Sequence, residues 1–93
     1  MKNLIVLLLL LPSALYALEK KDVESKLGIK LKEFNKSPVK GLYELVTKNN
    51  KIYYIDETGR YIVEGSIGDL VNKVSITQQR LDELSKIDFT TLP

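Results

Sequence analysis

The sequence predicts an α+β domain in which a short helix packs on an antiparallel β-meander and a second helix follows. Three observations carry this. Between residues 41 and 74 stand three short runs rich in Ile, Val and Tyr (Leu42–Thr47, 52–55 and 61–64), the side chains that fit a pleated surface. Two turn signals separate them, Lys48-Asn49-Asn50-Lys51 and Asp56-Glu57-Thr58-Gly59, where Asn and Gly accept left-handed backbone and Asp bonds its own following amides. Gaps this short join antiparallel neighbours. Segments with helical spacing flank the meander on both sides.

The chain opens with Met1-Lys2-Asn3, an unbroken apolar run from Leu4 to Leu11, Pro12, and small residues at Ser13, Ala14 and Ala17. A charged start, a short apolar core and small residues make a secretory signal peptide, because a spanning helix needs about 20 apolar residues. Residues 1–17 are expected to be removed after Ala17. The remaining 18–93 form one unit, with the helix and sheet over 18–74 and a linker helix with a tail over 75–93.

Residues 19–27 read as a short helix with Val23 and Leu27 on one face and Gly28 as its stop. A helix of this length does not hold itself together in water, so it must dock on the sheet. Residues 29–34 alternate apolar and charged, and Ile29 and Leu31 share a side of a candidate edge strand. Asn35-Lys36-Ser37-Pro38 breaks it, since the residue before Pro avoids helical geometry. In the meander, Leu42, Glu44 and Val46 oppose Tyr43, Leu45 and Thr47. Neither face is cleanly polar, so a partner is expected to cover what the chain does not. Residues 66–74 are expected to continue the sheet beyond a bend at Gly65 and Gly68. Ser75 with Gln78 resembles a capping box, with Thr77 as the competing cap. The helix 78–87 then carries a narrow stripe, Leu81, Leu84 and Ile87, on a charged rod. Residues 88–93 read as an extended tail whose Phe89 and Leu92 have nothing to pack against, as though another domain begins there.

The 93 residues carry 14 basic and 12 acidic side chains, and loss of Lys2 with the leader brings the balance nearer to neutral. That excludes an electrostatic nucleic-acid binder. The lysines crowding residues 20–40 fit a solvated face that discourages edge pairing. So small a domain is marginal alone, and exported ones add disulfides, a metal or oligomerisation. With no Cys and no His, oligomerisation is the route left open.

The same two absences remove thiol nucleophiles, redox pairs, zinc clusters and imidazole bases. Gly65-Ser66-Ile67-Gly68 lacks the spacing of a nucleophile elbow. Asp56-Glu57 reads as turn chemistry and Asp82-Glu83 as a solvated helix face. Tyr53, Tyr54 and Tyr61 read as cross-strand pairs. No catalytic constellation, metal site or cofactor is expected.

The sequence resembles the N-terminal domain of the periplasmic disulfide-bond isomerases of the DsbC/DsbG type. The resemblance lies in Lys26-Leu27-Gly28-Ile29, in Pro38-Val39-Lys40-Gly41-Leu42-Tyr43, in residues 52–65 from Ile52-Tyr53-Tyr54-Ile55 through Asp56-Glu57-Thr58-Gly59 to Glu64-Gly65, and in the segment from Gln79-Arg80 to Leu92-Pro93. It implies a cystatin-like fold, a homodimer formed by edge-strand pairing, and a V-shaped molecule whose apolar cleft holds misfolded exported proteins. The segment matching the family's dimer strand is Tyr61, Ile62, Val63, Glu64, Gly65, Ser66 and Ile67. Gly65 matches a glycine where backbones approach closely. Tyr43, Tyr53 and Tyr54 are the candidate cleft residues. The family's thioredoxin-like domain with its Cys-x-x-Cys lies beyond the linker helix and is not matched in this chain, so isomerase chemistry is not implied for it. The implied location is the periplasm, with no membrane contact after signal cleavage. The alternative is a standalone exported peptide- or protein-binding module, inhibitor-like, that uses the tyrosine-bearing face.

Overall fold

The computed structural model describes residues 18–90, with side-chain surroundings through residue 86. The expected leader at 1–17 and residues 91–93, Leu92 among them, lie outside the described residues. Helix α1 (Lys20–Leu27) is followed by strands β1 (Leu31–Lys36), β2 (Leu42–Thr47), β3 (Ile52–Asp56) and β4 (Ile62–Val63). A short ribbon of β5 (Gly68–Asp69) and β6 (Val74–Ser75) then leads into helix α2 (Ile76–Thr90). Strands β1 to β4 form one antiparallel sheet in chain order, and β5 pairs only with β6. This is the α+β meander that the sequence predicts.

Strand β1 lies further along than expected. Asn35 and Lys36 pair with Glu44 and Tyr43, and the break falls at Ser37-Pro38. A bulge between Leu31 and Glu33 alters the pairing, so that Leu31 opposes Thr47 while Phe34 opposes Leu45. In a regular strand Leu31 and Phe34 would point to opposite faces; the extra residue turns both to one side.

That side carries the apolar core. Tyr43 opposes Ile55 and Leu45 opposes Tyr53, so all four share the face with Leu31 and Phe34. Val23 of α1 is buried against Leu31, Leu45 and Ile55, with Leu18, Phe34, Tyr43 and Tyr53 packed around them. Three bonds fix the short helix there. Gly28, in left-handed geometry at φ 71°, donates its N–H to the Glu24 carbonyl at 2.8 Å. The Glu24 carboxylate accepts the Leu31 N–H at 2.6 Å. The Lys26 ammonium donates to the Gly59 carbonyl at 3.2 Å.

Helix α2, the expected C-terminal helix, lies against the opposite face and is more closely engaged with the sheet than its narrow apolar stripe suggests. Ser75, rather than Thr77, caps it: the Ser75 hydroxyl accepts the Gln78 N–H at 3.1 Å, and the helix starts at Ile76. It continues to Thr90, so residues 88–90, expected to be extended, are helical. Thr77, Arg80 and Leu84 follow one another at intervals of three and four and so form one stripe. The Thr77 hydroxyl hydrogen-bonds the Tyr54 hydroxyl, and Leu84 is fully buried. Leu81, from the expected stripe, is half-buried. A row of apolar residues every third position suggested a helix with little to bury, but the docked row mixes a hydroxyl, a guanidinium and a leucine.

Residues 66–74 do not continue the meander. Gly65 (φ 152°) turns the chain off the sheet, and the Ile67 backbone is engaged by α2. Its N–H donates to the Thr77 hydroxyl at 2.9 Å and its carbonyl accepts the Ile76 N–H at 2.8 Å. With α1 on one face and α2 on the other, the chain covers both faces of its central strands. The expectation that bare faces demand a partner therefore narrows to an edge.

The β3–β4 turn is closed as its sequence predicts. The Asp56 carboxylate accepts from the Thr58 hydroxyl and from the backbone N–H of Tyr61 (2.9 Å) and Arg60 (3.1 Å). The Thr58 hydroxyl, then the Tyr61 amide, hold its pKa below the ordinary 3.8. A lowered folded pKa favours the folded state above the ordinary value, and that contribution is lost as pH falls through the folded value. Urea denaturation should therefore show the stability gap between the protein and Asp56→Ala closing below pH 3.8. A gap unchanged down to the acid limit would contradict the assignment.

Candidate functional site

Strand β4 ends the sheet, and no strand among the described residues pairs with its outer side. Its inner side is fixed by Tyr54 opposite Val63 and Ile55 opposite Ile62. The Asp56 N–H donates to the Tyr61 carbonyl at 3.0 Å. Alternation along an antiparallel ladder then turns the N–H and C=O of Ile62 and Glu64 outward. Tyr61, Ile62 and Val63 are 59%, 47% and 44% exposed, and the Arg60 guanidinium lies 5.3 Å over the Tyr61 ring. A Cβ at Gly65 would meet nothing within 4 Å, so the fold leaves open space beside that backbone. Of the residues expected at a dimer strand, Ile62 and Val63 form β4, flanked by Tyr61 and Glu64, whereas Gly65 turns the chain off the sheet and the Ile67 backbone is tied inward to α2.

An open groove of about 680 Å³ adjoins the edge. Leu27, Ile29, Tyr53 and Ile62 give it an apolar floor, and Lys30, Lys48 and Lys51 stand around it with Glu64. Leu27 and Ile29 are 38% and 46% exposed. Of the three tyrosines expected at a cleft, Tyr53 lines this groove. Tyr43 shares its sheet face but stacks on Phe34 with ring centres 5.0 Å apart. Tyr54 is on the other face beneath α2 and 1% exposed, so the structure does not bring the three together.

The face under α2 holds a polar cluster that the sequence reading missed. The Arg80 Nε donates to Glu44 at 2.9 Å, its Nη2 to Glu33 at 3.0 Å, and its Nη1 to Glu83 at 2.9 Å. The Glu44 side chain is only 7% exposed, and its carboxylate also accepts from the Asn35 amide at 3.0 Å. The hydrogen-bonded Glu44 carboxylate raises the Arg80 pKa, against the opposing effect of burial, so the guanidinium stays charged. Glu44 stands between Leu42 and Val46 on one strand face, which was the signal available: a charge on a buried central strand needs a counter-charge.

Among the described residues no buried side-chain polar atom lacks a hydrogen-bond partner, and no group of carboxylates is placed to hold a metal. Asp56 is committed to its turn, Asp82 accepts from the Gln78 amide at 3.0 Å, and Glu83 is engaged by Arg80. What the molecule presents is a surface: a bare strand edge beside an apolar groove.

Residues 13–78 match the family model described as the disulfide bond isomerase protein N-terminal domain. The chain belongs to that family. No curated protein matches it. This N-terminal domain is not itself catalytic, and the chain has no cysteine with which to exchange disulfides. The family match ends in the first turn of α2, so Arg80, which bonds that helix to the sheet, and the buried Leu84 lie beyond it.

Replacing Arg80 by Ala leaves the Glu44 carboxylate buried and without its cation. Equilibrium urea unfolding is expected to show a loss of about 2–3 kcal/mol, with Glu44→Gln costing less because it removes the charge and keeps the shape. A change within error for Arg80→Ala would contradict a docked α2.

Proposed function

We propose that this chain is a homodimerisation and cleft-forming module of a thiol:disulfide interchange protein, with no redox activity of its own. The observation that carries the proposal is the β4 border, whose outer side has no strand partner among the described residues, on a sheet whose faces the two helices cover. An edge strand of this kind is a template for another strand. Its self-complementary partner is the same edge of a second copy, related by a two-fold axis. Membership in the isomerase N-terminal-domain family supports this choice over an unrelated partner.

In this proposal residues 1–17 direct export to the periplasm, 18–74 form the dimerisation unit, and α2 leads toward a thioredoxin-like domain in a longer relative. No helix of the described residues is long and apolar enough to cross a membrane. Misfolded exported proteins are the proposed clients of the space between two copies.

Glu64→Pro tests the edge directly. It removes an N–H that the chain's own ladder does not use, and proline is tolerated on edge strands where that N–H faces solvent. Sedimentation across the micromolar range should show a dimer for the protein and a monomer for the variant, with the same far-ultraviolet circular dichroism. A protein that is monomeric at every concentration would remove the proposal.

A further inference from the structure

The groove on the α1 face is formed within one chain, and its lining combines bare carbon with unspent positive charge. Leu27 and Ile29, at the exit from α1, give it an apolar floor with Tyr53 of β3 and Ile62 of β4. Lys30, Lys48 and Lys51 stand around that floor, with Glu64 as the acidic residue on the rim. Other lysines serve the fold: Lys26 bonds the Gly59 carbonyl and Lys32 the Asn50 side chain. The ammonium groups of Lys30, Lys48 and Lys51 make no ion pair or hydrogen bond among the described residues. Two of them stand on the β2–β3 turn, whose polar groups are closed on one another. The Thr47 N–H donates to the Lys51 carbonyl at 2.9 Å, and the Thr47 carbonyl accepts the Asn50 N–H at 3.0 Å. The Thr47 hydroxyl accepts the Lys51 N–H at 3.0 Å and donates to the Asn49 side-chain oxygen.

We propose that this groove binds a single long-chain carboxylate, its alkyl chain laid over Ile29, Tyr53 and Ile62 and its anionic head among Lys30, Lys48 and Lys51. The choice of occupant rests on charge complementarity. A floor of carbon with three uncommitted cations and one acid beside it complements a ligand that is apolar along its length and negative at one end. An acidic polypeptide is a poorer match, because it brings a backbone amide at every residue that must find a partner. The β2–β3 turn keeps the groups named above for itself. A bilayer surface is a poorer match in shape, since the site is concave and, at about 680 Å³, falls in the range of small-molecule sites. The groove belongs to one chain, so the proposal does not depend on self-association.

Titration calorimetry with decanoate below its micelle concentration tests this, with decyltrimethylammonium and decyl maltoside as cationic and neutral probes of the same chain length. Decanoate should bind once per chain and the cationic probe should not. Dodecanoate should bind about 15-fold more tightly than decanoate, since each buried methylene adds about fourfold. The combined change Lys30→Gln, Lys48→Gln and Lys51→Gln should weaken decanoate about tenfold and leave decyl maltoside unaffected. Ile29→Asp should weaken both. All four positions are exposed, so circular dichroism should show the same fold in each variant. Amide chemical shifts on adding decanoate should move at Ile29, Lys48, Tyr53 and Ile62. Absence of decanoate binding, equal affinity for the cationic probe, or shifts centred instead on the exposed Leu70–Val71 tip would each overturn the proposal. So would a peptide of alternating Glu and Leu that binds the groove more tightly than dodecanoate, because the site would then be one for polypeptide.

Discussion

A strand in the middle of a sheet has two faces and two edges, and each must be satisfied by something. In this protein β2 and β3 satisfy their edges with β1, β4 and each other, and the two helices take the faces. The helices do so by unlike means. α1 brings Val23 into a wholly apolar contact, whereas α2 brings Thr77 and Arg80 to Tyr54, Glu44 and Glu33. The second arrangement is the more demanding, because the Glu44 carboxylate would be costly to bury without its guanidinium. It also carries orientational information: a planar, multiply bonded arginine fixes the helix against the sheet more narrowly than a greasy contact does. Among the described residues the two outer strands of the sheet, β1 and β4, each keep one side without a strand partner.

Much of this was legible in the sequence, and the legible parts share a cause. The meander follows from residues that act locally: Asn50 takes the left-handed conformation, Gly59 does the same at φ 74°, and Asp56 gathers the amides after it. Gly28 stops α1 and Ser75 starts α2 for equally local reasons. What escaped depends on long-range geometry. The bulge in β1 brings Leu31 to the face that α1 covers, and nothing in Lys30-Leu31-Lys32-Glu33 signals it. The docking of α2 rests on pairs distant in sequence, Arg80 with Glu44 and Thr77 with Tyr54. A search for apolar periodicity passes over a helix face built from a threonine and an arginine.

The surface divides in the same way. The run 61–64 was legible as a strand, and the structure keeps Ile62–Val63 of it; that Ile67 would be claimed by α2 was not legible. Tyr53 and Tyr54 are adjacent, so alternation alone sends them to opposite faces; grouping them at one cleft ignored the pleat. Leu70-Val71, an apolar pair inside a turn of Asp, Asn and Lys, was read in the sequence only as part of a continuing sheet. Only the structure shows that its own chain leaves it bare while an apolar groove stands beside the open edge. Membership in the isomerase N-terminal-domain family is the setting for the proposal that the open edge serves assembly.

The central claim is that the outward backbone groups of β4 find their partners in another copy. Amide hydrogen exchange at increasing protein concentration addresses this residue by residue. The inward amides of Tyr54 and Val63 should be protected throughout, while those of Ile62 and Glu64 gain protection as concentration rises. Rapid exchange at Ile62 and Glu64 at every concentration, in a protein otherwise folded, would contradict the account.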